Sequence, residues 1–366
     1  MSINGFNKRK LAQVIPFGII SCLYGLVYSF LEFGILLDAP IYPSTGNPYY
    51  FSPVSSGLLS LMAGLVIGMF EVIYLNSKFR NTSFFKKIFY KTIIYLLLIT
   101  FVVFLISLLG HALELKRSPL DELVLSYNAN FMRSVAFWSI VVYMAHGIVV
   151  MLFYTEVSDN IGQGVLLNFF TGKYYRPIEE DRIFMFLDMK DSTAIAERLG
   201  HMKYFDMLKE YYDDLTDPII KYGGQIYQYV GDEIVVTWRK HHGIHKNNCI
   251  RCFFEMRSSL RNQSQKYERK YGVVPSFKAG LHIGRVTSGE IGVIKKDIIF
   301  TGDVLNTTAR IQGLCNVKNV DLLISEQLIS ELSVSKLRET IEIGEVQLRG
   351  KNEKITLYTI RLSQDK

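Results

Sequence analysis

The chain has 366 residues, 49% of them hydrophobic and 13% aromatic, with a net charge of +7 and a mean hydropathy of +0.17. That is more apolar than a purely soluble enzyme, and the length suggests about two domains. The positive excess lies in short basic runs beside hydrophobic segments, and no basic stripe interleaved with aromatics runs through the sequence, so nucleic acid is not the expected partner.

The apolar residues concentrate before about residue 155 and the charges after it. Four apolar runs, roughly 13–37, 56–76, 92–112 and 134–154, are each long enough to cross ~30 Å of hydrocarbon at about 1.5 Å per residue. Lys8, Arg9 and Lys10 precede the first. It reads as a signal anchor, being too long for a cleaved signal peptide and lacking a small-x-small site. The segment 38–55 has Asp38 as its only charge, whereas 77–91 carries Lys78, Arg80, Lys86, Lys87 and Lys91 and no acid. The positive-inside rule then puts the N-terminus and the 77–91 segment in the cytosol. Four spans return the chain there, so a lipid-embedded anchor over 1–155 is followed by a cytosolic half.

Glu32, Glu71, His111 and His146 fall in or near the spans. They could line a ligand or signal site. The plainer reading puts them near interfaces, or neutral and hydrogen-bonded between helices. Residues 156–180 form a polar linker with Gly162, Gly164 and Gly172, ending in Pro177-Ile-Glu-Glu-Asp. It could pass motion onward or act as a passive tether.

Residues 181–366 read as one α/β domain. The run 182–188 is a buried strand ending on an acid. A helical period follows over 192–219. Two β runs, 225–230 and 233–238, flank Val230-Gly231-Asp232, a tight-turn signal. A helix is expected over 247–270, then strands near 276–283 and 285–291. This order of strand, helix, hairpin, helix and strand predicts a mixed sheet with helices on one face. The stretch 314–345, with a short helix around 325–337, is assigned to packing.

Within that domain Asp188 ends the first strand and Asp232 occupies the hairpin turn. On adjacent central strands the two carboxylates would meet at one sheet edge, where they repel unless a cation lies between them. All-oxygen ligands suit Mg²⁺, which also binds phosphates, and two such ions can clamp the oxygens of a phosphoryl transfer. Alternatively, Asp232 is an ordinary turn residue and Asp188 a helix cap. His241, His242, His245, Cys249 and Cys252 have zinc-like spacing. The helical apolar spacing around Cys249-Ile-Arg-Cys252 favours core packing, and His282 is expected to make a structural hydrogen bond. With only Cys22 and Cys315 besides, the cysteines form no secreted disulfide framework.

Four motifs stand in order: Phe186-Leu-Asp-Met-Lys-Asp-Ser-Thr193, Tyr229-Val-Gly-Asp-Glu-Ile-Val235, Gly280-Leu-His-Ile-Gly284 and Thr301-Gly-Asp-Val-Leu-Asn-Thr-Thr-Ala-Arg310. Together they resemble the catalytic domain of the class III adenylate and guanylate cyclases, over roughly 180–362. The resemblance implies a ferredoxin-like, palm-type domain working as a head-to-tail homodimer with its sites at the interface. It implies that Asp188 and Asp232 hold two Mg²⁺ or Mn²⁺ ions, that Asn306 orients the ribose and that Arg310 stabilises charge on the α-phosphate. Lys278 and Arg349 fall where the family places basic residues near the triphosphate. The implied location is the inner (plasma) membrane, multi-pass, with the N-terminus and catalytic domain cytoplasmic.

The base-reading positions depart from the family pattern. Adenylate-specific members usually have Lys, and guanylate-specific ones Glu, where this chain has Gln228. The partner position is usually Asp or Thr in the first group and often Cys in the second, and here it is Ile299. Gln carries both a donor and an acceptor, so it could read either base. ATP is the expected substrate and GTP the alternative. A non-enzymatic membrane receptor with a nucleotide-binding, cyclase-like domain is a further reading. It is disfavoured by the retention of Asp188, Asp232, Asn306 and Arg310.

Overall fold

A computed structural model describes residues 5–36, 53–79, 82–161, 165–294, 296–333, 339–350 and 354–361. Asp38, Arg80, Gly162 and Gly164 lie outside the described residues, as do the side chains of Lys8, Arg9, Lys10 and Glu32. The chain forms two compact units that divide near residue 168.

The first unit holds four helices long and apolar enough to cross a membrane. They include Gln13–Leu31, within the helix Gly5–Leu36, and then Pro53–Leu75, Phe84–Glu114 and Val135–Ile161. The four expected spans fall on these helices, residue 37 lying outside the described ones. Small residues let the first two approach closely: a Cβ on Gly64 would sit 2.5 Å from the Phe17 carbonyl oxygen. Such seams replace hydrophobic burial as the source of packing between helices in lipid. The second helix passes through a π turn, Glu71–Leu75.

Two sequence readings of this unit need correction. The 77–91 segment is not all loop, because the third helix begins at Phe84. Lys91 is buried, its ammonium bonded to Glu71, whose other oxygen accepts from the Tyr95 hydroxyl at 2.7 Å. The pairing with Glu71 is what permits a lysine there. Between the third and fourth long helices lies a further helix, Glu122–Arg133, capped by the Asp121 carboxylate accepting from Leu123 N at 2.9 Å. The sequence reading has no element there. His111 bonds the Ser107 carbonyl at 2.6 Å and His146 meets the Tyr24 hydroxyl at 2.8 Å. Both are hydrogen-bonded, as the plainer reading holds, but only His146 bonds between helices.

In the second unit the strands are β1 (Ile178–Met189), β2 (Gln225–Val230), β3 (Glu233–Arg239), β4 (Phe277–Ile291), β5 (Asp297–Thr301), β6 (Leu322–Ser325), β7 (Thr340–Gln347) and β8 (Lys354–Ile360). They form one sheet in the order β2-β3-β1-β4-β6-β8-β7, with β5 paired to β4. The pairings are antiparallel except β4 with β6. The first four strands with their two helical crossovers make the ferredoxin-like βαββαβ unit.

Side chains alternate along β1. Ile183, Met185 and Leu187 enter the main core with Met207, Tyr211, Leu215, Phe253 and Met256 from the crossover helices. Phe184 and Phe186 point the other way, to Val235, Val286 and Val304. The helix Asp303–Lys318 therefore packs on the second face, so helices are not confined to one face as expected.

The single helix expected over 192–219 is two, Ser192–Leu199 and His201–Lys221, broken where Gly200 takes φ +74°. The helix over 247–270 is likewise two, Asn248–Asn262 and Ser264–Tyr271. The two strands expected over 276–291 are one, because β1 pairs with β4 without a break from Met189↔Phe277 to Ile178↔Ser288. The helix expected around 325–337 spans Glu326–Ile329, and 334–338 lie outside the described residues. Cys249 and Cys252 are buried in the main core, as the packing reading has it. His282 Nδ1 lies 2.8 Å from the Ser325 hydroxyl, a structural hydrogen bond.

Candidate active site

Asp188 continues the series Phe184, Phe186 and so emerges on the second sheet face, at the end of β1. The register Leu187↔Ile234 places the β2–β3 turn beside it. Gly231 supplies the positive φ, +61°, that the turn needs, and the Tyr212 hydroxyl donates to the Gly231 carbonyl. Asp232 follows, its carboxylate within hydrogen-bonding reach of Asp188.

Three charged or polar groups converge on Asp188. Lys278 Nζ, from the facing position on β4, lies 3.2 Å from its Oδ2. The Gln312 amide donates to the same oxygen at 3.2 Å. Asp232 is the third, and its buried Oδ2 accepts no hydrogen bond from any described residue. Burial, then the adjoining Asp232 carboxylate, hold the Asp188 carboxyl above its ordinary range, with Lys278 opposing them incompletely. Glu233 is raised by burial and by the charges of Asp188 and Asp232. Burial and the Asp232 charge push the Tyr212 phenol up to about 12, which keeps it a neutral donor.

An acidic pair with an unsatisfied buried oxygen suits a divalent cation. Among the described residues no three His, Cys, Asp or Glu side chains form a metal cage. Two carboxylates, with the other positions left to phosphate and water, are a usual Mg²⁺ arrangement, and Asp188 and Asp232 fit it.

The remaining predicted residues lie elsewhere. Asn306 is exposed on the helix Asp303–Lys318, with Arg310 one turn on and half-buried. A Cβ on Gly350 would lie 3.7 Å from Arg310 Nη2, so Arg310 borders the turn that carries the exposed Arg349. Among the described residues no hydrogen bond or ion pair joins Asn306 or Arg310 to the acidic pair. Gln228 is exposed on β2, beside a bulge at Tyr227, and Ile299 is half-buried on β5. Their neighbours meet: the Tyr227 and Phe300 rings are 4.9 Å apart, and Phe300 N donates to the Tyr227 hydroxyl at 3.3 Å.

Sequence reasoning missed Gln312, Glu233 and Tyr212. Gln312 had a signal, as a polar residue at helical spacing from Thr308 and Cys315 on the buried face.

Residues 176–361, just over half of the chain, match the family model "Adenylate and Guanylate cyclase catalytic domain". The chain belongs to this family. It is 35% identical over 210 residues to Adenylate cyclase 2 of Rhizobium meliloti, covering 57% of this chain and 58% of that protein. It is 25% identical over 186 residues to an adenylate cyclase of Anabaena cylindrica, covering 48% of this chain and 36% of that one. The chain thus spans between about a third and three-fifths of these two relatives. The adenylyl cyclase CyaB of P. aeruginosa aligns with a TM-score of 0.46 at 20% identity, over 52% of this chain and 98% of that structure.

Proposed function

We propose that this class III cyclase-family chain is a membrane-bound adenylate cyclase, converting ATP to cyclic AMP and pyrophosphate as a homodimer. The observation that carries the reading is the Asp188–Asp232 pair with its unsatisfied buried oxygen. Asp188 and Asp232 would hold Mg²⁺ or Mn²⁺, two ions per site, which when bound supply positive charge against the triphosphate and favour the nucleophilic oxygen.

The reaction is attack of the ribose 3′-oxygen on the α-phosphorus. The bond from that phosphorus to the bridging oxygen breaks, pyrophosphate leaves, and the 3′-hydroxyl proton passes to solvent. Arg310 places a fixed positive charge against the α-phosphate, where negative charge develops, and Asn306 orients the ribose. Lys278 and Arg349 face the phosphates. Gln228 reads the base beside Ile299, donating to adenine N1 and accepting from the N6 amine. The separation of Asn306 and Arg310 from the acidic pair within one chain supports a site completed by a second copy. The four apolar helices support a membrane anchor; the positive-inside reading of the basic 77–91 segment is what puts the N-terminus and the catalytic domain on the cytoplasmic side of the plasma membrane.

The test is product formation by the full chain with Mn²⁺ or Mg²⁺, offered ATP and GTP separately, beside Asp188→Ala. Cyclic AMP from ATP is expected, lowered at least about 10²-fold in the variant. Cyclic GMP would keep the mechanism and reassign Gln228 to guanine. Nucleotide binding without product would replace the enzyme by a receptor.

A further inference from the structure

The helix Asp303–Lys318 presents different groups on different sides. At about 100° per residue, Gln312 lies about 200° around the helix from Arg310. Asn306 and Arg310 therefore occupy one side, while Gln312 turns to the sheet, 7% exposed. On that buried side Thr308 bonds back to the Val304 carbonyl at 2.6 Å and Cys315 meets the Ala279 carbonyl at 3.4 Å. Gln312 instead reaches a charged group on another strand, Asp188 Oδ2.

Its reach depends on a close backbone approach. Gly280 on β4 pairs with Phe186, two residues before Asp188. A Cβ at Gly280 would stand 2.4 Å from Gln312 N and 2.8 Å from its Cα. The glycine lets the helix settle onto the strand at this point, which brings the amide to the carboxylate.

We propose that Gln312 is a positioning residue for Asp188. Together with Lys278 it occupies Oδ2, so the carboxylate is fixed and its remaining lone pairs stay available to a divalent cation shared with Asp232. The inference rests on the reading that Asp188 and Asp232 hold such cations. Partners that orient a metal-binding side chain typically contribute ~10–100-fold to affinity or activity.

The experiment uses full-length protein in detergent, with Mn²⁺ alone as the probe. Binding is followed by electron paramagnetic resonance for the wild type, Gln312→Met, Gln312→Leu and Asp188→Ala. Met keeps the length of the side chain and loses the donor. Leu also loses the donor, with a shorter and branched shape, in case Met fails to fold. Mn²⁺ binding about tenfold weaker in either folded variant is expected. A matching rise in half-saturating Mn²⁺ for turnover should accompany it, with KM for ATP at saturating Mn²⁺ unchanged. A lower melting temperature or kcat with unaltered Mn²⁺ affinity would overturn the proposal, as would Asp188→Ala binding Mn²⁺ like the wild type. A wild type that makes no cyclic nucleotide sinks the enzyme reading alone, since Mn²⁺ binding still decides the role of Gln312.

Discussion

Lys278 Nζ lies 3.2 Å from Asp188 Oδ2, yet the Asp188 carboxyl still binds its proton more tightly than an ordinary aspartate. Burial and the facing Asp232 outweigh the ammonium. The unfolded chain titrates this group near 3.8. From there up to the raised value the folded state holds the proton and the unfolded state does not, so stability falls as pH rises through that window. In metal-free protein the penalty is complete once the pH lies above the raised value, and at neutral pH it acts on the ionised carboxylate. Asp188→Asn is therefore expected to raise the metal-free melting temperature at pH 7, with the gain shrinking toward pH 4. Added Mn²⁺ should raise the wild-type melting temperature more than that of the variant. A loss of stability at pH 7, or a gain independent of pH, would contradict this account.

The two halves of the proposed site sit apart on one chain, which makes complementation informative. Asp188→Ala lacks a proposed metal ligand and Arg310→Ala the guanidinium proposed to face the α-phosphate, so each alone should be nearly inactive. In a two-fold dimer each mixed pair rebuilds one intact site. Random assembly makes half of the dimers mixed, so co-expression should restore about a quarter of wild-type activity. Activity no greater than the sum of the separate variants would place all of the residues in one chain's site.

Gly280→Ala tests the close approach of helix and strand. The added methyl would meet Gln312 backbone atoms, which cannot swing aside as a side chain can. The helix must shift, and Asn306 and Arg310 shift with it. Cyclase activity is expected to fall about 10²-fold, the scale associated with misplacement of about 1 Å, at a stability cost of about 1–3 kcal/mol. Gly313→Ala, on the same helix with nothing within 4 Å of its Cβ position, is the control and should leave activity intact.

Much of this was legible in the sequence because the signals were local. Apolar runs gave the long helices, and the run into Asp188 with the Val230-Gly231-Asp232 turn gave the strand and hairpin that bring the acids together. Other features depend on partners distant in sequence. Gly284 looks like a strand break, but continuous pairing with β1 carries β4 straight through it. Lys91 counts as a loop charge until Glu71, 20 residues earlier, is seen bonded to it. Gln312 gains its meaning only from Asp188, 124 residues away.

In the anchor, Glu71 is 1% exposed and stands on the π turn, accepting from Lys91 and from the Tyr95 hydroxyl. Removing one member of a buried ion pair strands the other charge, which costs more than removing both. Glu71→Gln should destabilise the anchor by about 3–5 kcal/mol by leaving the Lys91 ammonium uncompensated. Lys91→Met should cost less, because Tyr95 still donates to Glu71. The double variant Glu71→Gln, Lys91→Met should recover much of the loss, a non-additivity expected of residues in contact or in one network. Denaturation of the full chain in mixed micelles, followed for all four forms, measures the coupling. Strict additivity would mean that the two charges do not meet in the folded anchor.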